Sequence, residues 1–155
     1  RLAKVIATPL LFQSPINVGD EVIVHYNVFR RWHDVKGRER NSRSYWKDNK
    51  YIISQDQIYL YKKLEWLAMP GYTLVKPILN KDKFCLDKEV PMVGVVKYSD
   101  GTFNKNNLVG FKPKTHCEEF VNGERLYRVM NKFITIKYEY KGNEKEYNPS
   151  WSQSG

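Results

Sequence analysis

Short runs of β-branched and aromatic residues, separated by turn residues, recur along most of the chain. In the run from Glu21 to Tyr26, a period of two places Val22 and Val24 on one face of a strand. Runs of this length and spacing are typical of small β-barrels and β-sandwiches. Helix signals are scarce, and the one segment with a predicted helical turn is Lys62 to Met69, which Pro70 stops. We therefore predict an all-β fold with long loops and little helix.

The two halves of the chain repeat one order of strands and corners. Three pairs of segments correspond in sequence, namely residues 51–61 with 127–137, 18–24 with 107–111, and 3–7 with 93–97. The first pair aligns without a gap, and both members read as a strand, a polar corner and a second strand. Few positions are identical, so a chance likeness between two β-rich segments is the alternative. We predict two tandem domains, at residues 1–70 and 71–140, followed by a tail at residues 141–155 that carries no periodicity.

Charge and cysteine content narrow the class of protein further. Lys and Arg number 26 against 17 Asp and Glu, which gives a net charge of +9 and favours an anionic partner or surface. Cys85 and Cys117 are too few for a disulfide framework and lack the paired spacing of a zinc ribbon. No apolar run approaches the roughly 20 residues of a membrane span, and no leader precedes the first strand. We expect a reduced, cytoplasmic protein that does not enter a membrane.

One stretch of the first half carries a more specific pattern. The strand at Lys4–Ala7 is followed by the turn Val18-Gly19-Asp20 with a strand, and later by two strands separated by Ser54–Gln57. This arrangement resembles the GroES-type co-chaperonin (chaperonin 10-like) barrel over residues 3–140, most clearly at residues 18–61. The resemblance implies two tandem small GroES-like β-barrels, a non-enzymatic role in protein folding or assembly, and a homo-oligomer. The pattern is also similar to sequences carried by large tailed phages, which implies a location in the host cytoplasm or in the virion.

The resemblance also implies a partner-binding loop. In the family, a mobile loop after the opening strand carries an apolar tripeptide that docks on the chaperonin. The first half starts after that position, whereas in the second half residues 80–89 follow the opening strand and hold Phe84, Cys85 and Leu86. An apolar triplet in a charged loop can bind a hydrophobic groove. The alternative is an edge strand in which Phe84 and Leu86 pack on the barrel.

A basic insertion at residues 29–50 has no counterpart in the family. Basic and aromatic side chains interleave there, and the candidate binding residues are Arg30, Arg31, Trp32, Arg38, Arg40, Arg43 and Trp46. Such a combination can hold phosphates while a base stacks on a tryptophan, as in proteins that bind single-stranded nucleic acids. Arginine and aromatic residues are equally enriched at protein interfaces. A protein partner, a nucleic acid and a solvated hairpin are therefore three open interpretations of this segment.

No group of residues has the spacing of a catalytic or metal site. His25, His33 and His116 are the only histidines, and His116 with Cys117 would lie on opposite faces of a strand. No glycine-rich phosphate loop or nucleophile motif occurs. We predict no enzyme activity, no metal and no cofactor. This leaves three hypotheses: a co-chaperonin-like protein-binding module, a virion or scaffold protein built on the same barrel, and a nucleic-acid-binding barrel that uses residues 29–50.

Overall fold

The computed structural model describes residues 1–11, 13–82, 84, 88–139, 142 and 144–149. This part of the chain is built from β-strands joined by turns and short 3-10 helices, which confirms the predicted all-β class. The strands, in chain order, are β1 (Leu2–Lys4), β2 (Glu21–Val24), β3 (Arg31–His33), β4 (Glu39–Asn41), β5 (Tyr45–Lys47), β6 (Lys50–Tyr51), β7 (Ile58–Lys62), β8 (Trp66–Ala68), β9 (Tyr72–Leu79), β10 (Glu89–Ser99), β11 (Leu108–Phe111), β12 (His116–Val121), β13 (Glu124–Met130) and β14 (Ile134–Tyr138). The 3-10 helices are Tyr26–Phe29, Gln55–Gln57 and Asn131–Phe133. The chain divides into two compact units, Arg1–Trp66 and Leu67–Gly155.

The first unit is organised around the sheet β1-β2-β7-β8, with β8 at the point where the chain leaves the unit. The two central strands supply much of its core, since Val22, Val24 and Leu60 are each at most 1 % exposed. Burial on both sides of β2 explains why its sequence is an almost continuous apolar run. The insertion at residues 29–50 contains two separate hairpins, β3–β4 and β5–β6.

The helical turn predicted over Lys62–Met69 is wrong. Lys62 ends β7, the Lys63 amide donates to the Glu65 carbonyl at 3.1 Å in a tight turn, and the chain continues as β8 beside β7. Most residues of this segment favour helices, but helix propensities differ by only about 0.7 kcal/mol or less per residue. Pairing with β7 and complete burial of Ala68 outweigh that preference.

The second unit is built on a six-stranded antiparallel sheet in the order β12-β13-β9-β10-β11-β14. β9 lies near its middle and is buried on both faces: Val75 joins a core cluster with Val96 and Val129, whereas Ile78 packs with Val95 in a second cluster. Across the described residues the strand pairing runs from β12 to β14 without closing. The sheets are therefore open and antiparallel, and tandem closed barrels stay a prediction. Within the same residues, no helix has the length and apolar character needed to cross a bilayer.

Residues of the tail extend the β9 edge beyond the point where β13 stops. β13 pairs with β9 as far as Val75. Beyond it, the Leu79 amide donates to the Lys145 carbonyl at 2.7 Å, and the Tyr147 amide donates to the Pro77 carbonyl at 2.8 Å. A segment with no periodicity of its own is thus held by main-chain hydrogen bonds to a central strand of the sheet.

Strands β1, β2 and β7 of the first unit pair in the same way as β10, β11 and β14 of the second. Leu2 lies opposite Ile23 in the first unit, and Val93 lies opposite Gly110 in the second. In both units the next two residue pairs follow without a register shift. The last two residues of the middle strand are separated by a register shift in both sets. A 3-10 helix precedes the third strand in both units. The predicted internal repeat is therefore visible in the strand register.

Hydrogen bonds at the turn before the middle strand match as well. The Gly19 amide donates to the Val5 carbonyl at 2.8 Å, and the Asn106 amide donates to the Val96 carbonyl at 2.9 Å. Both turn residues have a positive φ, 97° for Gly19 and 68° for Asn106, which glycine and asparagine tolerate best. Val5 is thus the counterpart of Val96, so that the predicted alignment of residues 3–7 is wrong by one residue. The sequence of a short apolar strand constrains its register weakly, and the turn sets it.

Candidate functional site

The loop between β9 and β10, residues 80–88, carries a projecting aromatic side chain. Phe84 is 97 % exposed, although phenylalanine is among the residues most often buried. Its amide donates to Asp82 Oδ1 at 2.9 Å, and the Asp82 amide donates to Asn80 Oδ1 at 3.0 Å. These two Asx turns shape the part of the loop that leads to Phe84.

The predicted tripeptide is described only at its first residue. Cys85 and Leu86 lie outside the described residues. The alternative interpretation, in which Phe84 packs on the barrel, does not hold for Phe84 itself, because its side chain is exposed.

Both ends of this loop are held by the sheet. The Asn80 amide donates to the Lys88 carbonyl at 2.9 Å, and β10 begins at the next residue, Glu89. The Glu89 carboxylate accepts hydrogen bonds from the Arg125 guanidinium and from the Tyr127 hydroxyl. Phe84 therefore projects from a loop whose base is fixed by main-chain and side-chain hydrogen bonds.

Arg125 is the centre of this anchor, and sequence reasoning missed it. It is 8 % exposed, and it donates to Glu89, to the Tyr127 oxygen and to Glu118 Oε1, the last at 2.8 Å. Burial by itself lowers the pKa of Arg125, but the hydrogen bonds to Glu89 and Glu118 more than offset this and raise the pKa above its ordinary value. Burial raises the pKa of Tyr127, and the hydrogen bond to Glu89 adds to the rise. The arginine stays charged and the tyrosine stays protonated, so that the cluster is a fixed anchor.

Part of this cluster can be predicted from the alternation of side chains along a strand. Arg125, Tyr127 and Val129 lie on one face of β13, and Glu118 on β12 lies directly opposite Tyr127. A charged residue on a buried face is a signal that a partner exists. The identity of that partner is not contained in the pattern, because Glu89 is 36 residues from Arg125 in sequence.

His116 packs beside the same cluster. Its ring centroid lies 4.5 Å from that of Tyr127 and 5.2 Å from that of Phe111. Its Nδ1 is buried and makes no hydrogen bond to any described residue, and burial lowers the pKa of the imidazole. The next residue on the strand, Cys117, is exposed. The two side chains therefore do not converge on one face of β12.

The seven candidate residues of the basic insertion are all exposed. On β3–β4, the Asp34 carboxylate accepts from the Lys36 and Arg38 amides and from the Arg40 side chain at 2.9–3.0 Å. The amide of Arg38, more than that of Lys36, holds the pKa of Asp34 below its ordinary value. Across the hairpin, Arg31 forms an ion pair with Glu39, with 3.6 Å between Nη1 and Oε1. Two of the predicted cations, Arg31 and Arg40, are thus engaged within the hairpin itself.

The second hairpin, β5–β6, carries Trp46, which is 56 % exposed with Lys47 Nζ 4.6 Å from its ring centroid. At its base, the Tyr51 ring packs edge-on against Phe29 at 4.9 Å. Trp32 lies on the other hairpin, so the two tryptophans belong to separate two-stranded sheets. Binding of a protein or a nucleic acid by this surface stays a prediction.

No family model, no curated protein and no solved structure matches the chain. Among the described residues, no group of three or more His, Cys, Asp or Glu side chains is placed to hold a metal ion. Two surfaces stand out from the geometry: an exposed phenylalanine on an anchored loop of the second unit, and exposed basic hairpins in the first.

Proposed function

We propose that the chain is a non-enzymatic, co-chaperonin-like module that binds another protein through the β9–β10 loop. The observation that carries the proposal is Phe84, a large apolar side chain with 97 % exposure on a loop whose ends are fixed. Burying such a side chain in a partner's groove gains about 1.5–3 kcal/mol relative to leaving it in water. A chaperonin is the partner that the co-chaperonin-like strand pattern favours.

A single contact of this kind is weak, because association costs translational freedom and the loop has to be ordered. Several copies on one oligomer compensate, since after the first contact each further one forms at a high effective concentration. We therefore propose that the protein acts as a homo-oligomer. Light scattering on the purified protein measures its mass. A strictly monomeric protein that does not bind chaperonin would contradict the proposal.

The substitution Phe84→Ala tests the loop directly. We expect it to weaken binding to purified bacterial chaperonin by at least about tenfold, because a factor of ten corresponds to only about 1.4 kcal/mol. Calorimetric titration, with and without ATP, measures the change. Val35→Ala is the matched control, since Val35 is equally exposed, at 103 %, but lies between β3 and β4.

Two results would overturn the proposal. In the first, the unmodified protein shows no affinity for chaperonin under either nucleotide condition. In the second, Phe84→Ala binds as tightly as the unmodified protein while its circular dichroism spectrum is unchanged.

A further inference from the structure

The first unit contains a groove of about 1040 Å³ beside its edge strand. Residues 1–9, which include β1, line it together with residues 49–53. The buried core residues Val22 and Val24 also contribute to its lining. The groove therefore reaches from the surface to the core of the first unit.

β1 has one edge with which no strand pairs among the described residues. It is the end strand of the sheet β1-β2-β7-β8. The Arg1 carbonyl accepts from the Val24 amide at 3.0 Å, and the Val5 amide donates to β2's neighbour Asp20 at 2.9 Å, so alternate residues bond towards β2. In an antiparallel pair the residues between them direct their amides and carbonyls the other way. The main-chain groups of Leu2 and Lys4 therefore point away from β2.

In the second unit, the same edge is covered by a strand. β10, the counterpart of β1, pairs there with β9, as Val96 does with Val75. On its other side β9 pairs with β13, where Val75 lies opposite Tyr127. The alignment of residues 51–61 with 127–137 in sequence makes Tyr51 the counterpart of Tyr127. The groove, lined by residues 1–9 and by Tyr51, thus occupies in the first unit the position that β9 occupies in the second.

If β9 covers in the second unit what is open in the first, matched residues should be more buried in the second unit, and they are. Val96 and Val129 in the second unit are 0 % exposed, whereas their counterparts Val5 and Ile53 are only partly buried. The edge strand also leaves Leu2 59 % exposed. Apolar side chains that a neighbouring strand covers in the second unit are thus accessible in the first.

The charge of the groove is of one sign. Among the described residues, its lining includes Arg1, Lys4 and Lys50, together with Arg31, which is ion-paired with Glu39, and it includes no carboxylate. Like charges on the rim favour an occupant whose ends carry acidic residues.

We propose that this groove binds an extended strand of a partner polypeptide, with apolar side chains at alternate positions and acidic residues at its ends. The strand adds to the free edge of β1 as β9 adds to β10, so that main-chain hydrogen bonds supply affinity and the apolar pocket supplies specificity. The site is in the first unit and is independent of the Phe84 loop.

A peptide with the sequence of Tyr72–Leu79, extended by two aspartates at each end, is a suitable probe. We expect it to bind the intact chain and to slow hydrogen exchange of the Leu2 and Lys4 amides at least tenfold. Its affinity should fall at least tenfold when its residues are scrambled, because scrambling changes which apolar side chains face the groove. The Phe84→Ala variant should bind it unchanged, which separates this site from the proposed chaperonin contact.

Substitutions at Lys4 test the main-chain hydrogen bond. Lys4→Pro removes an amide that points away from β2, and proline is tolerated on edge strands. Lys4→Ala removes only the charge. We expect Lys4→Pro to bind the peptide at least tenfold more weakly than Lys4→Ala.

Equal binding by Lys4→Pro and Lys4→Ala, or no binding of the peptide to the unmodified chain, would overturn the proposal.

A third experiment tests whether the strand comes from a partner or from the same chain. The peptide is joined to Arg1 through a nine-residue linker, the length of the segment between Leu79 and Glu89. Protection of the Lys4 amide by the tethered strand alone, with no binding of the free peptide, would overturn a partner polypeptide as the source.

Discussion

Among single residues, Lys76 is the least compensated of the buried charged groups that the structure describes in β9 and β13. It is 2 % exposed, its Nζ lies 3.2 Å from Asn148 Oδ1, and the Glu124 carboxylate is 4.0 Å away. Arg125, by contrast, has two carboxylates and a tyrosine within hydrogen-bonding distance. Burial lowers the pKa of Lys76, and attraction to Glu124 opposes this shift only in part. A charge buried in this way is expected to cost stability.

Replacing Lys76 by Met should therefore stabilise the protein at pH 7, by about 1 kcal/mol. Because the pKa of Lys76 in the folded state lies below the ordinary 10.5, the unfolded chain binds more protons between the two values. The free energy of unfolding of the unmodified protein thus rises with pH in that window, and the advantage of Lys76→Met shrinks towards pH 10.5. Urea unfolding at pH 7 and pH 10 measures both. The exposed Lys105, changed to Met, is the control, and an advantage of Lys76→Met that does not shrink with pH contradicts the explanation.

Among the elements, β10 shows how a close strand approach depends on one glycine. A Cβ on Gly94 would lie 2.7 Å from the carbonyl oxygen of Lys76 and 3.2 Å from the Val75 Cβ, both in β9. The counterpart of Gly94 in β1 is Ala3, which already carries a Cβ. A strand bound at the free edge of β1 therefore has to lie slightly farther out at this point than β9 does from β10.

Gly94→Ala should destabilise the protein by about 2 kcal/mol, because the added methyl group meets backbone that cannot move independently. Gly110→Ala is the matched control in the neighbouring strand. A Cβ on Gly110 would lie 3.1 Å from the Tyr138 ring, which is 40 % exposed and can move aside. Thermal unfolding of both variants checks the difference, and an equal loss at the two positions would show that the β9–β10 contact is not the cause.

At the scale of the whole molecule, the two units share the pairing of three strands, which are β1, β2 and β7 in the first unit and β10, β11 and β14 in the second. Val22 in β2 and Val109 in β11 occupy matching positions, opposite Ala3 and Gly94 respectively. They are 1 % and 0 % exposed. Equivalent burial at equivalent positions predicts that the same substitution has the same consequence in each unit.

Val22→Asp and Val109→Asp should each cost at least about 4 kcal/mol, because each buries a charge with no partner. We expect Val22→Asp to remove the dispersed amide signals of residues 1–66, and Val109→Asp to remove those of residues 67–149. Two-dimensional NMR spectra of both variants provide the measurement. Val18→Asp is the control, since Val18 is 62 % exposed. A folded Val22→Asp protein would show that this position is not part of an obligatory core.

Several features of the fold are readable from local sequence. The bounds of β9, Tyr72–Leu79, can be read from the sequence, because its apolar residues end at Gly71 and Asn80, which favour turns. The alignment of residues 51–61 with 127–137 holds from the 3-10 helices Gln55–Gln57 and Asn131–Phe133 onward. Before these helices the predicted strands differ, because β6 ends at Tyr51 whereas β13 continues to Met130. The site is readable in part: the loop that carries Phe84 was predicted, but its anchor on Arg125 was not.

The all-β class and the internal repeat are thus set by local sequence, because side-chain alternation and turn chemistry act between near neighbours in the chain. Tertiary structure alone decided that Trp66–Ala68 is a strand, that Val5 matches Val96, and that Arg125 holds the base of the loop. It also decided that, within the part of the chain that the structure describes, β9 pairs with the outer edge of β10 while no strand pairs with that of β1. Each of these outcomes depends on contacts between residues that are distant in sequence, and the energy of such contacts exceeds the local preferences that a pattern records.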